Sequence, residues 1–493
     1  LNDNVSDLER ICRALRSSGD LPAVQTGLSN IRQLGEILRD SGWKVTVTLS
    51  RHNDTAEILL VEPGDTTKKI FGLCFDIGTT TISGQLVDLN SKRLLGTKAA
   101  YNQQAAFGND VITRIIYAGK SDGLEKLHEA VSNSINQIIC QLVKENGVDL
   151  NDVSCIICSG NTTMIHLLLS VDPANIRREP YVPAVNSLPV LRAAESGINI
   201  APRGILSCVP GISGYVGGDI TAGVLANRIY QDEELCMLID IGTNGEIVLG
   251  NKDFLIACAA SAGPAFEGSG VTSGMRAGSG AIQKVNIDKR DFKVSYSTVA
   301  EGKPLGICGS GYIDLLSSML ETGLIDKGGK IRVEGKRIRR TDTGGEFVVC
   351  PREESASLSD IVISEADIDN LKRSKAAIYS AASILTKHMG VSFPEVSKIF
   401  IAGGFGMSLN IENAVKIGLL PDLPRERFFF VGNSSLAGAR QMLLSEQAMD
   451  MANVIASKMT YFDLSSDPAY MDEYSQALFF PHTDLKKFPN VKL

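Results

Sequence analysis

Two short stretches carry the residue types needed to bind phosphate, and they match each other. Asp76-Ile77-Gly78-Thr79-Thr80-Thr81 and Asp240-Ile241-Gly242-Thr243-Asn244-Gly245 each follow a short apolar run. Glycine turns tightly and lets the backbone approach a ligand, because it has no Cβ. In such turns the N–H groups around Gly78, Gly242 and Asn244, with the hydroxyls of Thr79, Thr80 and Thr243, supply donors for phosphate oxygens. Asp76 and Asp240 would repel a phosphate unless a cation lay between. Mg²⁺ suits that role, since it keeps several waters and takes only one or two carboxylates. One such turn alone reads equally well as an ordinary Asp/Gly hairpin. Two matched copies favour a divided phosphate clamp.

The clamp needs strands to carry it. Apolar runs at 70–75 and 235–239 precede the turns, and 82–89 and 247–249 follow them, so each turn is the tip of a hairpin. In the first half, strands at 70–76, 81–89 and 93–101 lead to helices at 108–118 and 122–146 and a strand at 153–158. The second half has strands near 235–240, 245–250 and 253–258, a long helix at 364–389, and strands at 398–402 and 428–431. The order repeats, which marks an internal duplication of α/β type. The expected division is a small α+β module at 1–66, a first lobe at 67–233 with a Pro-rich insertion at 173–210, a second lobe at 234–460 with an inserted hairpin at 327–350, and a surface tail at 461–493.

Several other residues have chemistry to offer. Ala402-Gly403-Gly404-Phe405-Gly406 ends a buried strand, where α/β folds place ligands. Its glycines Gly403, Gly404 and Gly406 suit a flat partner such as adenosine. Glu267 reads either as a ligand for ribose hydroxyls or as a helix cap. Asp219, behind Gly217-Gly218, reads as a second aid to Mg²⁺ or as an N-cap. Ser261 is the lone hydroxyl in an Ala/Gly run open to a flat macrocycle, although a buried strand-end serine is the plainer reading. His166 sits in an apolar run as a core histidine, and none of the five histidines has zinc spacing.

Composition narrows the partners. The 493-residue chain is 44% hydrophobic with a net charge of −7 and has no basic stripe, so nucleic acid is not an expected partner. No apolar run is long enough for a membrane-spanning helix. Ten cysteines are spread singly through strand-like runs, which suits a reducing, cytoplasmic setting. Cys155 and Cys158 lie three apart in a strand, where side chains face opposite ways. No iron–sulfur ligand run is present. The chain opens at Leu1 inside a helical pattern, so an upstream segment is expected.

The two Asp-Gly-Thr hairpins and the Gly403-Gly404 turn resemble the phosphate and adenosine loops of the actin, sugar-kinase and heat-shock ATPase superfamily. That resemblance implies duplicated actin-like (ribonuclease H-like) lobes binding ATP with Mg²⁺. It casts Asp76 and Asp240 near the metal and the attacking water. A more specific likeness lies in Ala262-Gly263-Pro264-Ala265-Phe266-Glu267-Gly268, Gly160-Asn161-Thr162-Thr163-Met164 and Leu478-Phe479-Phe480-Pro481-His482-Thr483. These resemble the ATP-dependent reductive activators of corrinoid proteins. The resemblance implies a corrinoid protein as partner, restored from Co(II) to Co(I), and an upstream ferredoxin-like domain holding the iron–sulfur cluster that donates the electron. A homodimer is compatible with it. A small-molecule kinase of the same superfamily and an actin-like or chaperone-type ATPase are the competing readings.

Overall fold

The computed structural model describes residues 3–19, 21, 23–52, 55–342, 344–404 and 409–492. The chain forms two compact units, Leu1–Pro210 with Ala439–Asp450, and Gly211–Gly438 with Met451–Leu493. This division assigns Asp219 and its helix to the second unit and returns 439–450 to the first.

Within the first unit a six-stranded sheet is built around Phe71–Ile77. This strand pairs antiparallel with Thr81–Asp88, which pairs antiparallel with Arg93–Tyr101. On its other side lie parallel Val153–Gly160 and Ile205–Cys208, edged by Leu191–Arg192. The second unit repeats the plan. Cys236–Ile241 pairs antiparallel with Gly245–Gly250, which pairs antiparallel with Leu255–Ala260; parallel Lys398–Gly403 and Phe428–Gly432 lie opposite. Both sheets thus read third-second-first-fourth in chain order, with one further parallel strand beside the fourth, as a duplication requires. Central strands with both faces covered must be apolar throughout, and Leu73, Phe75, Met237 and Ile239 are fully buried.

Helices cover these sheets. Gly123–Asn146 buries Leu127, Val131, Ile135, Ile138 and Leu142 at helical spacing and ends on left-handed Gly147. Glu365–His388 is capped by Ser364, whose hydroxyl accepts from the Asp367 amide while Asp367 bonds back to the Ser364 amide. No helix among the described residues is long and apolar enough to cross a membrane.

Two expectations need correction. The Pro-rich segment is not wholly an insertion: Ile205–Cys208 is the further parallel strand of the first sheet. Only four residues long and lying between Gly204 and Pro210, it shows no readable period. Nor is 461–493 a surface tail. Phe480 and Phe488 are buried in the second unit's core, and Pro468–Ala477 packs on Glu365–His388. The Lys375 ammonium, itself fully buried, donates to the carbonyls of Phe479 and Pro481 at 2.6 and 2.8 Å. The Leu-Phe-Phe-Pro-His-Thr motif is therefore a structural clasp.

Its second anchor is Glu473, which is buried and accepts from Ser383 at 3.0 Å, Lys387 at 2.9 Å and Lys487. His482 Nε2 stands 3.5 Å away. Burial pushes the Glu473 carboxyl up, but His482, Lys487 and Lys387 outweigh it and hold it well below the usual carboxylate range. A depressed folded value gives stability above the unfolded value and loses it as pH falls through the folded one. Glu473→Gln should therefore cost about 2–4 kcal/mol at neutral pH. The gap to wild type should shrink below about pH 4, as urea titrations at several pH values would measure.

Candidate phosphate and adenosine site

In the first unit, Asp76 and Ile77 end their strand opposite Ser83 and Ile82, and the Gly78 amide closes the turn on the Thr81 carbonyl at 3.0 Å. The turn is braced from three sides. Asn102 donates from its side chain to the Gly78 carbonyl at 3.0 Å and from its amide to Thr80 at 3.0 Å. Asn161 Nδ2 donates to the Thr79 hydroxyl at 3.1 Å, while its Oδ1 caps the helix Thr162–Leu168 through the Met164 amide. Arg114 supplies the third brace: its guanidinium donates to the Thr79 carbonyl at 2.6 Å, the Gly108 carbonyl at 2.9 Å and Gln104 Oε1 at 3.0 Å. Thr79 is buried and Thr80 half-buried.

In the second unit, Asp240 and Ile241 end their strand facing Glu246 and Gly245, and the Gly242 amide closes on the Asn244 carbonyl at 2.9 Å. Thr243 donates to Glu267 at 3.2 Å, and a Cβ on Gly242 would lie 3.3 Å from the same carboxylate. Glu267 thus stands against the second phosphate turn, at the end of the short helix Pro264–Glu267. The Asp240 strand also pairs with Lys398–Gly403, bringing Gly403 beside Ile241. Gly403 has φ +108°, and a Cβ there would collide with the Ile241 carbonyl and lie 3.1 Å from Asp240 Oδ1. Only glycine serves at that position. Gly404 next to it is exposed, while Gly406 lies outside the described residues.

A third carboxylate joins Asp240 and Asp219. Glu246 is buried, and its carboxyl is pushed well above the usual range by burial, then by the charges of Asp219 and Asp240. Its protonated form is favoured for that reason. Asp219 is not the helix cap, which is Gly217; it lies in the first turn of Gly218–Ala226 and accepts from the Ile220 amide at 3.0 Å. Ser261 is exposed just past Leu255–Ala260 rather than buried. His166 is a core histidine, its ring nitrogens engaged by the Thr162 carbonyl and the Ala184 amide. Cys158 is buried and Cys155 half-buried, the latter's thiol pushed up to about 11 by desolvation, which suits inert packing.

The first unit therefore gathers Asp76, Gly78, Thr79 and Thr80. The second gathers Asp240, Gly242, Thr243, Asn244, Glu267, Gly403 and Asp219. Arg114, Asn102 and Glu246 are absent from the sequence-derived set. Glu246 leaves a trace in sequence, as the one acid inside an apolar strand. Arg114 leaves none, because a lone arginine on a short helix gives no hint of what it reaches.

Two sheets of one strand order, each with an Asp-Gly-Thr hairpin turn, and a glycine turn on the strand beside the second, define an actin-like ATPase fold. Comparison with known proteins then assigns the family. The profile described as the C-terminal domain of RACo, the ASKHA domain, matches residues 234–492; that of the RACo middle region matches 71–232, and that of the RACo linker region 1–68. The chain belongs to the RACo family. It is 34% identical over 424 residues to the corrinoid activation enzyme RamQ of Eubacterium limosum, covering 84% of this chain and 71% of that one. It is 26% identical to the [Co(II) methylated amine-specific corrinoid protein] reductase of Methanosarcina barkeri, covering 79% and 73%. A solved structure of a reductive activator for corrinoid,iron-sulfur protein superposes with a TM-score of 0.94 at 47% identity, over 100% of this chain and 78% of that one.

Proposed function

We propose that this chain is the ATP-binding and ATP-hydrolysing part of a reductive activator that returns a Co(II) corrinoid protein to Co(I). The observation that carries this is the structural match of the whole of this chain to 78% of such an activator, joined to two intact Asp-Ile-Gly-Thr turns and a Gly403 packed on Asp240. One electron reduces Co(II) to Co(I), and ATP with water gives ADP and phosphate. The electron would come from an iron–sulfur cluster in a ferredoxin-like domain attached upstream. The nucleotide residues themselves carry no redox group.

Oxygen donors on Asp76, Asp240 and Asp219 fit Mg²⁺, which is satisfied by few carboxylates plus water and phosphate. Among the described residues no set of three or more His, Cys, Asp or Glu is placed to hold a metal alone. Bound Mg²⁺ would neutralise phosphate charge. Gly78, Thr79, Thr80, Gly242, Thr243 and Asn244 hold the phosphates, and Asp76 and Asp240 orient the attacking water. Gly403, Gly404 and Gly406 line the adenosine, with Glu267 nearby. Ser261, exposed at a strand end, meets the corrinoid. The protein acts in the cytoplasm, and a homodimer is its expected assembly.

The test is ATP- and reductant-dependent conversion of Co(II) to Co(I) by the full-length protein, followed by visible absorption. Ser261→Ala should leave basal ATP hydrolysis unchanged and slow corrinoid reduction about tenfold. A phosphorylated small-molecule product would favour the kinase reading instead, and filaments with ATP the actin-like one. Equal affinity for the corrinoid partner with ATP, ADP and no nucleotide would disprove energy coupling.

A further inference from the structure

The linker module and the first lobe have separate hydrophobic cores. Ile11, Leu34, Leu38, Ile58 and Val61 form the first, and Leu73, Phe75, Ile135, Ile156 and their neighbours the second, with no residue shared. Charge contributes to the joint between them. Glu57, on the linker strand Thr55–Pro63, receives hydrogen bonds from both Arg192 and Arg203 of the first lobe. Its side chain is only 14% exposed, against 28% and 19% for the arginines. Arg192 also donates to the Arg203 carbonyl at 2.9 Å, and Arg203 to the Ser29 hydroxyl at 3.3 Å. A Cβ on Gly27 would collide with the Arg203 guanidinium, so the linker backbone itself seats this side chain.

The joint is also incompletely filled. A cavity of about 120 Å³ lies within it, lined by Gln33, Glu62, Lys69, Asp152 and Arg203 among others. Arg203 Nε is buried with no acceptor. A joint between two separate cores that leaves a cavity of mixed lining (Leu59, Leu60 and Ile70 beside Glu62, Asp152 and Arg203) and turns on one shared carboxylate is a domain contact able to open. Partly buried ion pairs weaken with salt, less than fully exposed ones do, whereas apolar burial does not.

We infer that Glu57, Arg192 and Arg203 form an electrostatic latch that parks the linker module on the first lobe and can release it as an intact folded body. The latch would set where a domain attached upstream of the linker stands. It does not depend on the nucleotide or corrinoid chemistry proposed above.

Hydrogen exchange on the intact protein tests it. Peptides facing the joint, 27–33 and 201–204, should exchange about tenfold faster in Glu57→Gln than in wild type. Wild type should move in the same direction, by a smaller factor, when salt is raised from roughly 0.1 M to 1 M. Peptides in the linker core, 34–38 and 56–61, should keep their protection, and ATP hydrolysis should stay unchanged. Unchanged exchange in Glu57→Gln would overturn the latch. So would loss of protection throughout the linker core, because Glu57 would then hold the module folded rather than docked.

Discussion

Asp240→Asn should lower the turnover number for ATP hydrolysis by roughly 100- to 1,000-fold, with the melting temperature unchanged or slightly raised. The two halves of this expectation have separate causes. Asp240 ends its strand at the phosphate turn, with Gly403 held against its Oδ1 side. In the proposed role a carboxylate there would orient Mg²⁺-bound water, which an amide would do poorly because it is neutral and half donor. Stability moves the other way. Asp240 faces buried Glu246 across the hairpin, and its charge is among the influences that push the Glu246 carboxyl up, as is that of Asp219. Removing one of three crowded acids relieves repulsion. Phosphate-release kinetics beside thermal unfolding would measure both. Turnover above a tenth of wild type, or a clear drop in melting temperature, would remove Asp240 from the catalytic role.

The central strands and both Asp-Ile-Gly-Thr hairpin turns were legible because their signals are local. An apolar run ending in Asp-Ile-Gly-Thr states strand, turn and donor type within ten residues, and its second copy made the duplication visible. Fully buried strands such as Cys236–Ile241 announce themselves by continuous hydrophobicity. Ile205–Cys208 did not, because a four-residue strand among prolines has no period, and its membership is decided by pairing with Val153–Gly160. The segment 461–493 misled for the opposite reason. Its prolines suggest an irregular surface path, yet Phe480 and Phe488 are buried through contacts made a hundred residues away, at Lys375 and Tyr379. The braces of the first turn, Asn102, Arg114 and Asn161, are long-range partners of Gly78 and Thr79. Only Asn161 stood in a motif that drew notice, and nothing in that motif indicated Thr79 as its target.

Arg114 is the brace whose loss should cost most. Arg114→Met should destabilise the first unit by about 2–4 kcal/mol and raise KM for ATP more than it lowers the turnover number. The side chain has no exposed surface, and burial pulls its guanidinium down to about 10, with only the charge of Asp110 acting the other way. A buried cation without a carboxylate partner is expensive, so its removal refunds part of what it costs to bury. What the refund does not cover is the three acceptors left behind. The buried Thr79 carbonyl and the half-buried Gly108 carbonyl each lose a charged donor, and Gln104 Oε1 keeps only the Asn102 side-chain amide at 3.2 Å. At about 1–3 kcal/mol for each buried group stranded, the loss exceeds the refund. The first phosphate turn then loosens, while Asp76 stays fixed on its strand between Ser83 and Ser159. Binding should therefore suffer more than chemistry. Arg114→Lys should fail to rescue either quantity, because an ammonium offers no planar fork to bridge Gly108, Gln104 and Thr79 together. Urea unfolding with steady-state ATP hydrolysis on both variants would decide the matter: a Lys variant equal to wild type would show that charge alone, and not the fork, holds the turn.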